Sequence, residues 1–439
     1  MGLDGRWSRI VDTLRGIRYN PLGRGAALAI KICARFTAMT PKTPTLAVEG
    51  GAPVRTQPWP VWPMYDEREE RALLDVLHSR RWGTRLGVHV RAFEDEFAAF
   101  QGARYGICVP NGTLALQVAL QALGVGWGDE VITSPYTFIA TASAALAVGA
   151  RPVFVDVDAN SLNIDPALIE AAITPRTRAI APVHIGGRPA DMDAVLAAAQ
   201  RHGLHVLEDA CQAWGAEWRG QRVGALGDLG TFSFQSSKNI TAGEAGIVVT
   251  NDEGLADLCW SLHNVGRIRD GGWYQHERLG SNLRLPEWEG AILRVQLERL
   301  PEHMQRRDAN AAYLGAALAG VPGLTPLPLD PRVTRNAWHL FMVRYDARYF
   351  GGRPRGDFIA ALQAEGVTPC SAGYIPLYRA PAIQHALAAL DGDYTPPHLP
   401  VVEALASEIV WLAQTVLLGD TEDMDSIVEA ATKIQRVWG

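Results

Sequence analysis

Seven short apolar runs, separated by Ala- and Leu-rich stretches, restrict the fold of this chain more than any other feature. They are Tyr105 to Val109, Glu130 to Thr133, Pro152 to Val155, Ala179 to Val183, His205 to Leu207, Thr231 to Phe234 and Gly246 to Val249. Runs this short match strands, and stretches between them such as Thr113 to Leu123 and Asp191 to His202 have the length and apolar spacing of helices. The alternation predicts an α/β fold with a mostly parallel sheet covered by helices on both faces. Ligands of such sheets gather at the carboxyl ends of the strands.

Helical spacing also marks the flanks. Leu73, Leu74 and Leu77 predict a helix within Asp66 to Ser79, and Phe93, Phe97 and Phe100 predict another that stops at Gly102. Beyond Pro286 the pattern is helical to about Leu318, and a Pro-rich loop from Pro322 to Pro331 then marks a boundary. A strand from His339 to Tyr345 and helices over Asp357 to Glu365, Glu403 to Gln414 and Glu422 to Val437 follow. The expected organisation is a large domain over 48–320 with its N-terminal segment, and a smaller α/β domain over 321–439. Residues 1–47 read as a basic extension, with seven cationic residues up to Arg35 against Asp4 and Asp12. It is either a basic amphipathic leader or the product of an upstream start codon, since Met39 opens a natural beginning.

Composition narrows the partners. Of 439 residues 48% are hydrophobic and 20% charged, and the net charge of −6 gives no cause to expect nucleic acid or an anionic membrane as partner. No segment nears the roughly 18 unbroken apolar residues of a membrane span. Five scattered cysteines, Cys33, Cys108, Cys211, Cys259 and Cys370, form no Cys-x-x-Cys pair. They predict reduced packing thiols in a cytoplasmic protein, with neither a disulfide frame nor a metal site.

Lysine is scarce: Lys31, Lys42, Lys238 and Lys433 are four of 41 basic residues. Arginine supplies nearly all the positive charge, so a lone central lysine suits a task arginine cannot do, losing its proton to act as nucleophile or base. Its surroundings support that reading over chance. The run ending Leu207-Glu-Asp-Ala210 delivers two carboxylates at a strand's carboxyl end, and Asp209 there is a candidate partner for a cationic ring nitrogen. Pyridoxal phosphate chemistry requires such a pair, a lysine to bind the aldehyde and a carboxylate to keep the pyridine nitrogen protonated. Pro110-Asn-Gly-Thr113, before a predicted helix, offers exposed amides and the positive end of a helix dipole as a phosphate cup. Gly224-Ala-Leu-Gly-Asp-Leu-Gly230 lacks the strand-before, helix-after context of a dinucleotide site and reads as a loop.

Glu208-Asp-Ala-Cys-Gln-Ala-Trp-Gly-Ala216, Gly227-Asp-Leu-Gly-Thr-Phe-Ser-Phe-Gln-Ser-Ser-Lys-Asn239 and Thr241-Ala-Gly-Glu-Ala-Gly246 resemble the DegT/DnrJ/EryC1/StrS family of sugar and cyclitol aminotransferases. The similarity runs from about Gly50 to the carboxyl end. It implies the type I fold of enzymes dependent on pyridoxal 5'-phosphate, working as a homodimer with shared active sites. On that resemblance Lys238 holds the cofactor as a Schiff base, Asp209 pairs with its ring nitrogen, Gln212 contacts its hydroxyl and Phe138 stacks on its ring. Gly112, Thr113 and Ser233 hold the phosphate, joined by Asn282 from the second subunit. Arg284 reaches the partner's substrate pocket, and His184 and Tyr374 are further substrate candidates. Ala245 stands where the family commonly has glycine.

The stretches Gly50 to Pro63, Pro182 to Gly186 and Gly373 to Tyr378 resemble the branch containing glutamine:scyllo-inosose aminotransferases and aminohydroxybenzoate synthases. The resemblance implies transfer of an amino group from L-glutamine or L-glutamate to a keto-cyclitol such as scyllo-inosose. Nucleotide-linked ketosugars and an aromatising synthase remain alternative readings, and a non-catalytic cofactor-binding regulator is a further one.

Overall fold

The computed structural model describes residues 44–439; the basic stretch up to Arg35 and the alternative start at Met39 lie outside them. Each of the seven apolar runs forms a strand of one sheet. β1 (Tyr105–Val109), β2 (Glu130–Thr133), β3 (Arg151–Phe154), β4 (Thr177–Ala181) and β5 (His205–Asp209) come first. After the short hairpin of β6 (Glu217–Trp218) and β7 (Gln221–Arg222) come β8 (Leu229–Ser233) and β9 (Gly246–Thr250). Their order is β1-β9-β8-β5-β4-β2-β3. β9 runs antiparallel to both neighbours and the remaining pairs are parallel, so β1, β2, β4, β5 and β8 all end at one edge.

Alternation along the strands explains why both faces are covered. Ile107, Val109, Val131, Ala179, Ala181, Leu207 and Val248 enter one core, whereas Cys108, Ile132, Ile180, Val206, Ile247 and Val249 enter the core on the opposite face. Successive side chains of a strand point to opposite faces, and these strands carry apolar residues at both phases. The helices α1 (Glu67–Ser79), α2 (His89–Gln101), α3 (Gly112–Ala122), α4 (Ala140–Ala147), α5 (Met192–His202) and α6 (Glu253–His263) flank this sheet. Phe93 and Phe97 of α2 pack edge-on against Phe234 of the segment after β8, and Phe97 also against Phe232, with ring centroids 5.0–5.3 Å apart. α2 stops at Gly102, whose φ of 78° is the left-handed conformation glycine adopts without strain.

α7 (Glu287–Leu318) is a 32-residue rod that joins two cores. Leu293, Leu297, Leu300 and Met304 pack under the main sheet, while Ala311, Leu314, Ala317 and Leu318 enter a separate core further along the chain. That second core lies against a four-stranded sheet ordered β10-β12-β14-β13, of β10 (Leu324–Pro326), β12 (Leu340–Tyr345), β13 (Cys370–Ser371) and β14 (Ile409–Ala413). β11 (Val333–Arg335) pairs instead with β6. α8 (Arg355–Ala364), α9 (Pro381–Asp391), α10 (Pro400–Glu408) and α11 (Thr421–Trp438) complete the chain. No helix among the described residues is long and apolar enough to cross a membrane.

Two expected elements are corrected: the stretch from Pro322 to Pro331, expected as a loop, contains the short strand β10 paired with β12, and one helix ends early. The helix expected over Glu403 to Gln414 ends at Glu408, and Ile409 to Ala413 is a strand. β-Branched and aromatic residues fit the pleated surface between β12 and β13, where Ile409, Val410 and Leu412 are buried.

The second described lysine has a structural task. Lys433 of α11 donates to Glu365 Oε2 at 2.8 Å and to the Ala52 carbonyl, while the same carboxylate accepts from Ala47 N and Val54 N. Glu365 is fully buried. Replacing Lys433 by Met strands that carboxylate and is expected to lower unfolding stability in urea by about 3 kcal/mol, much of which the double variant Lys433→Met/Glu365→Gln recovers.

Candidate active site

The edge where the parallel strands end opens into a cavity of about 870 Å³. Asn111, Gly112 and Thr113 follow β1; Thr137, Phe138 and Thr141 follow β2; Val183 follows β4. Asp209, Cys211 and Gln212 stand at the end of β5, and Ser233, Gln235 and Lys238 at and after β8. The opposite wall is Trp62 with His339, Leu340, Tyr374, Trp411, Gln414 and Thr415. The structure thus brings Lys238, Asp209, Gln212, Gly112, Thr113, Ser233, Phe138 and Tyr374 together, from stretches up to 262 residues apart in sequence.

Lys238 follows a turn in which its backbone N–H donates to the Gln235 carbonyl at 2.9 Å. Among the described residues no acceptor lies within hydrogen-bond distance of its amine, which stands 6.0 Å from the ring of Trp214. Burial pulls the amine below the ordinary lysine value of 10.5, although the Asp209 and Glu244 carboxylates pull the other way. Desolvation penalises the ammonium, so the reactive neutral amine is more accessible here than on a surface lysine.

Asp209 is nearly sealed, at 5% exposure. Its Oδ2 accepts from Thr141 Oγ1 at 2.7 Å and its Oδ1 from the Cys211 N–H at 3.2 Å. Thr141 in turn contacts Thr137 Oγ1 at 3.1 Å, so the first turn of α4 fixes the carboxylate's rotamer. Gln212 accepts from Gly186 N at 2.7 Å and donates to the Tyr374 hydroxyl at 3.2 Å. Burial raises that phenol to about 12.

His339 sits beside the lysine, its Nδ1 3.1 Å from Asn239 Oδ1. Asn239 spends its NH2 on the Ala337 carbonyl, leaving Oδ1 as acceptor, so Nδ1 of the histidine carries the proton. Burial, reinforced by Lys238 and Arg307, holds His339 well below the usual histidine range and therefore neutral.

The phosphate cup has a physical signature. Asn111 caps α3 by accepting from Leu114 N at 2.9 Å, which leaves the N–H groups of the first turn facing the cavity rim beside Ser233. A Cβ on Gly112 would lie 2.8 Å from Ser233 Cβ and 2.9 Å from Cys211 Sγ. The cradle is therefore open only because residue 112 has no side chain. Phe138 is half exposed at the cavity rather than packed in the core. Ala245 fits without strain: the left-handed position in that turn belongs to Gly243, with φ 90°, and Ala245 is not among the positive-φ residues.

His184 is a correction. It is fully buried, with Nε2 3.0 Å from Glu208 Oε2 and Nδ1 accepting from Ala190 N, so it cannot reach a substrate. Alternation after β4 turns Val183 to the cavity and His184 away from it, as it turns Asp209 in and Glu208 away. The Gly224-Ala-Leu-Gly-Asp-Leu-Gly230 stretch is a loop up to Asp228 that runs into β8 at Leu229, and its amides bind an anion inside the protein: Gly224, Leu226 and Gly227 each donate to the Glu208 carboxylate at 2.7 Å. Asn282 and Arg284 lie at the surface outside this cavity, Asn282 bridged to Asn264 and Arg284 donating to Asn264 Oδ1 at 2.9 Å. No group of metal-binding side chains occurs among the described residues.

Residues 63–432 match the DegT/DnrJ/EryC1/StrS aminotransferase family. The L-glutamine:2-deoxy-scyllo-inosose aminotransferase of Streptoalloteichus tenebrarius is 39% identical over 422 residues, covering 90% of this chain and 98% of the relative. The 3-amino-5-hydroxybenzoate synthase of Amycolatopsis mediterranei is 39% identical over 374 residues, 84% of this chain and 96% of the relative. A crystal structure of 3-amino-5-hydroxybenzoic acid synthase superposes with a TM-score of 0.80 at 37% identity, covering 87% of this chain and 99% of that one. With the family matched across most of its length and the sheet, strand order and cavity in place, the chain belongs to the DegT/DnrJ/EryC1/StrS aminotransferases.

Proposed function

We propose that the protein uses pyridoxal 5'-phosphate to move an amino group from L-glutamine to a keto-cyclitol such as scyllo-inosose. The observation that carries this reading is Lys238, an unpartnered amine depressed by burial, in one cavity with Asp209 and an open helix-terminus cradle. The acceptor and donor follow relatives of matching length that are named as L-glutamine:2-deoxy-scyllo-inosose aminotransferases. An aromatising reaction is the second reading, favoured by the likeness to the 3-amino-5-hydroxybenzoic acid synthase structure.

The residues fit the cofactor. Gly112, Thr113 and Ser233 would hold its phosphate, Asp209 its protonated ring nitrogen, Gln212 its hydroxyl and Phe138 one face of its ring. The bound cofactor supplies an electron sink for the charge left at the donor's α-carbon when its proton departs. Lys238 would anchor the cofactor and would take that proton at Nζ, a task its depressed basicity suits. Thr141 keeps Asp209 oriented, and Asp209 would then keep the proton on the ring nitrogen of a bound cofactor. In a cytoplasmic homodimer, Asn282 would join the partner's phosphate cup and Arg284 its substrate pocket.

Lys238→Arg conserves charge and is expected to lose the visible absorbance of the lysine-bound cofactor and about four orders of magnitude in turnover; a coloured, active Lys238→Arg protein would falsify the assignment. Thr141→Val removes one hydrogen bond to a charged group and is expected to weaken cofactor affinity about tenfold in an absorbance titration. The cofactor-free chain offers a pH test. An amine with a folded pKa below its unfolded 10.5 binds fewer protons folded than unfolded between the two values, so stability rises with pH across that window. Urea unfolding of Lys238→Met should lack this rise while the native chain shows it.

A further inference from the structure

Arg307, midway along α7, is a fully buried guanidinium with no carboxylate in contact among the described residues. Its Nη2 donates to Gln414 Oε1, while its Nε and Nη1 have no hydrogen-bond partner among the described residues. The neighbouring acid is engaged elsewhere: Asp308 accepts from Trp338 Nε1 at 2.8 Å and faces Arg335 at 3.7 Å. Two aromatic and basic neighbours complete the setting. The Arg307 guanidinium lies 5.8 Å from the ring of Trp62, a cavity residue whose own Nε1 donates to Ser236 O beside the lysine turn. His303, against Trp62, is held neutral, pushed down to about 4 by burial and by Arg307, Arg299 and Arg306.

Gln414 stands at the end of β14, lines the cavity and is 1% exposed. An arginine can only donate, so the amide's carbonyl must face Arg307 and its NH2 must face away. That Nε2 is itself buried and has no partner among the described residues. A buried donor left unsatisfied is destabilising, so Gln414 Nε2 leaves a place for an acceptor from the cavity, and the guanidinium behind it, with no carboxylate in contact, favours an acceptor that is an anion. A neutral cyclitol offers hydroxyls only, whereas every amino-acid donor brings a carboxylate.

We infer that Gln414, oriented by Arg307, forms the subsite for the α-carboxylate of the amino donor. This rests on the aminotransferase reading above and adds where the donor is held. The subsite serves the first half of the exchange and not the second. Recognition is by one amide donor in the field of a guanidinium set one layer behind it, so the site attracts an anion without giving a strong permanent ion pair that would slow the keto acid's departure.

The test separates the two half-reactions of the cofactor-loaded enzyme. Gln414→Glu keeps a partner for Arg307, which protects the fold, but turns a carboxylate toward the donor's own. The variant is expected to keep the absorbance of the lysine-bound cofactor, while the L-glutamine concentration giving half conversion rises by about tenfold to a hundredfold. Half-saturation by a ketone added to the pyridoxamine form should move by less than about threefold, well under that loss. On the native enzyme, 4-aminobutanamide, which is glutamine without its α-carboxylate, should react poorly and equally poorly with Gln414→Glu. As a readout independent of turnover, glutaramate, the amine-free mimic, should raise the melting temperature of the native protein and not of the variant. Unchanged glutamine half-conversion in a coloured Gln414→Glu protein overturns the subsite and leaves the aminotransferase reading standing. Equal losses in both half-reactions overturn it in favour of an acceptor contact. A native protein whose absorbance ignores every amino donor overturns both readings.

Discussion

The buried carboxylate of Glu208 holds the floor of the active site together. It accepts three backbone amides from the loop before β8 and faces the ring of His184 after β4, so one side chain ties both segments to the end of β5. Being fully buried, it depends on those partners, since a carboxylate cannot leave water without them. Its neighbour Asp209 inherits the rigidity. With Glu208 locked on one face of the strand, Asp209 can only point to the other, where Thr141 and the Cys211 amide fix its two oxygens.

The same division of labour recurs in the site's cations and amides. Lys433 is a lysine with partners on every side, tied to Glu365 and the Ala52 carbonyl, and it behaves as part of the framework. Lys238 has no hydrogen-bond partner among the described residues, and burial without partners is what makes an amine reactive. Asn239 likewise consumes its donor on the Ala337 carbonyl and so dictates the tautomer of His339. Chemistry is assigned in this molecule by which groups are left unsatisfied as much as by which groups are present.

Much of this was legible in the sequence because it is local. The seven strands were marked by apolar runs, Gly102 by its place after the phenylalanine helix, and Lys238 by its rarity; Asp209 followed from its position at a strand's end. What escaped reading depends on contacts distant along the chain. Ile409 to Ala413 continues the apolar pattern of α10, and only pairing with β12 and β13 makes it a strand. His184 sits at a strand end as Asp209 does, but in the opposite phase, and the count of residues from Val183 would have revealed it. Thr141 lies inside the small-residue helix Ala140–Ala147, where a hydroxyl among alanines was the only sign of a task. Gln414 and Arg307 are 107 positions apart, and nothing in either neighbourhood announces the other.

The cavity is assembled from two sheets with unequal duties. The ends of the main strands carry the groups that would grip the cofactor and move the proton, while His339, Leu340, Tyr374, Trp411, Gln414 and Thr415, from the later part of the chain, face them as the opposing wall. α7 fastens the two halves by burying one end in each core. A substitution in the later wall therefore alters the width and lining of the space between the walls without touching Lys238 or Asp209, so the shape of the chamber and its reactive groups can be changed one at a time.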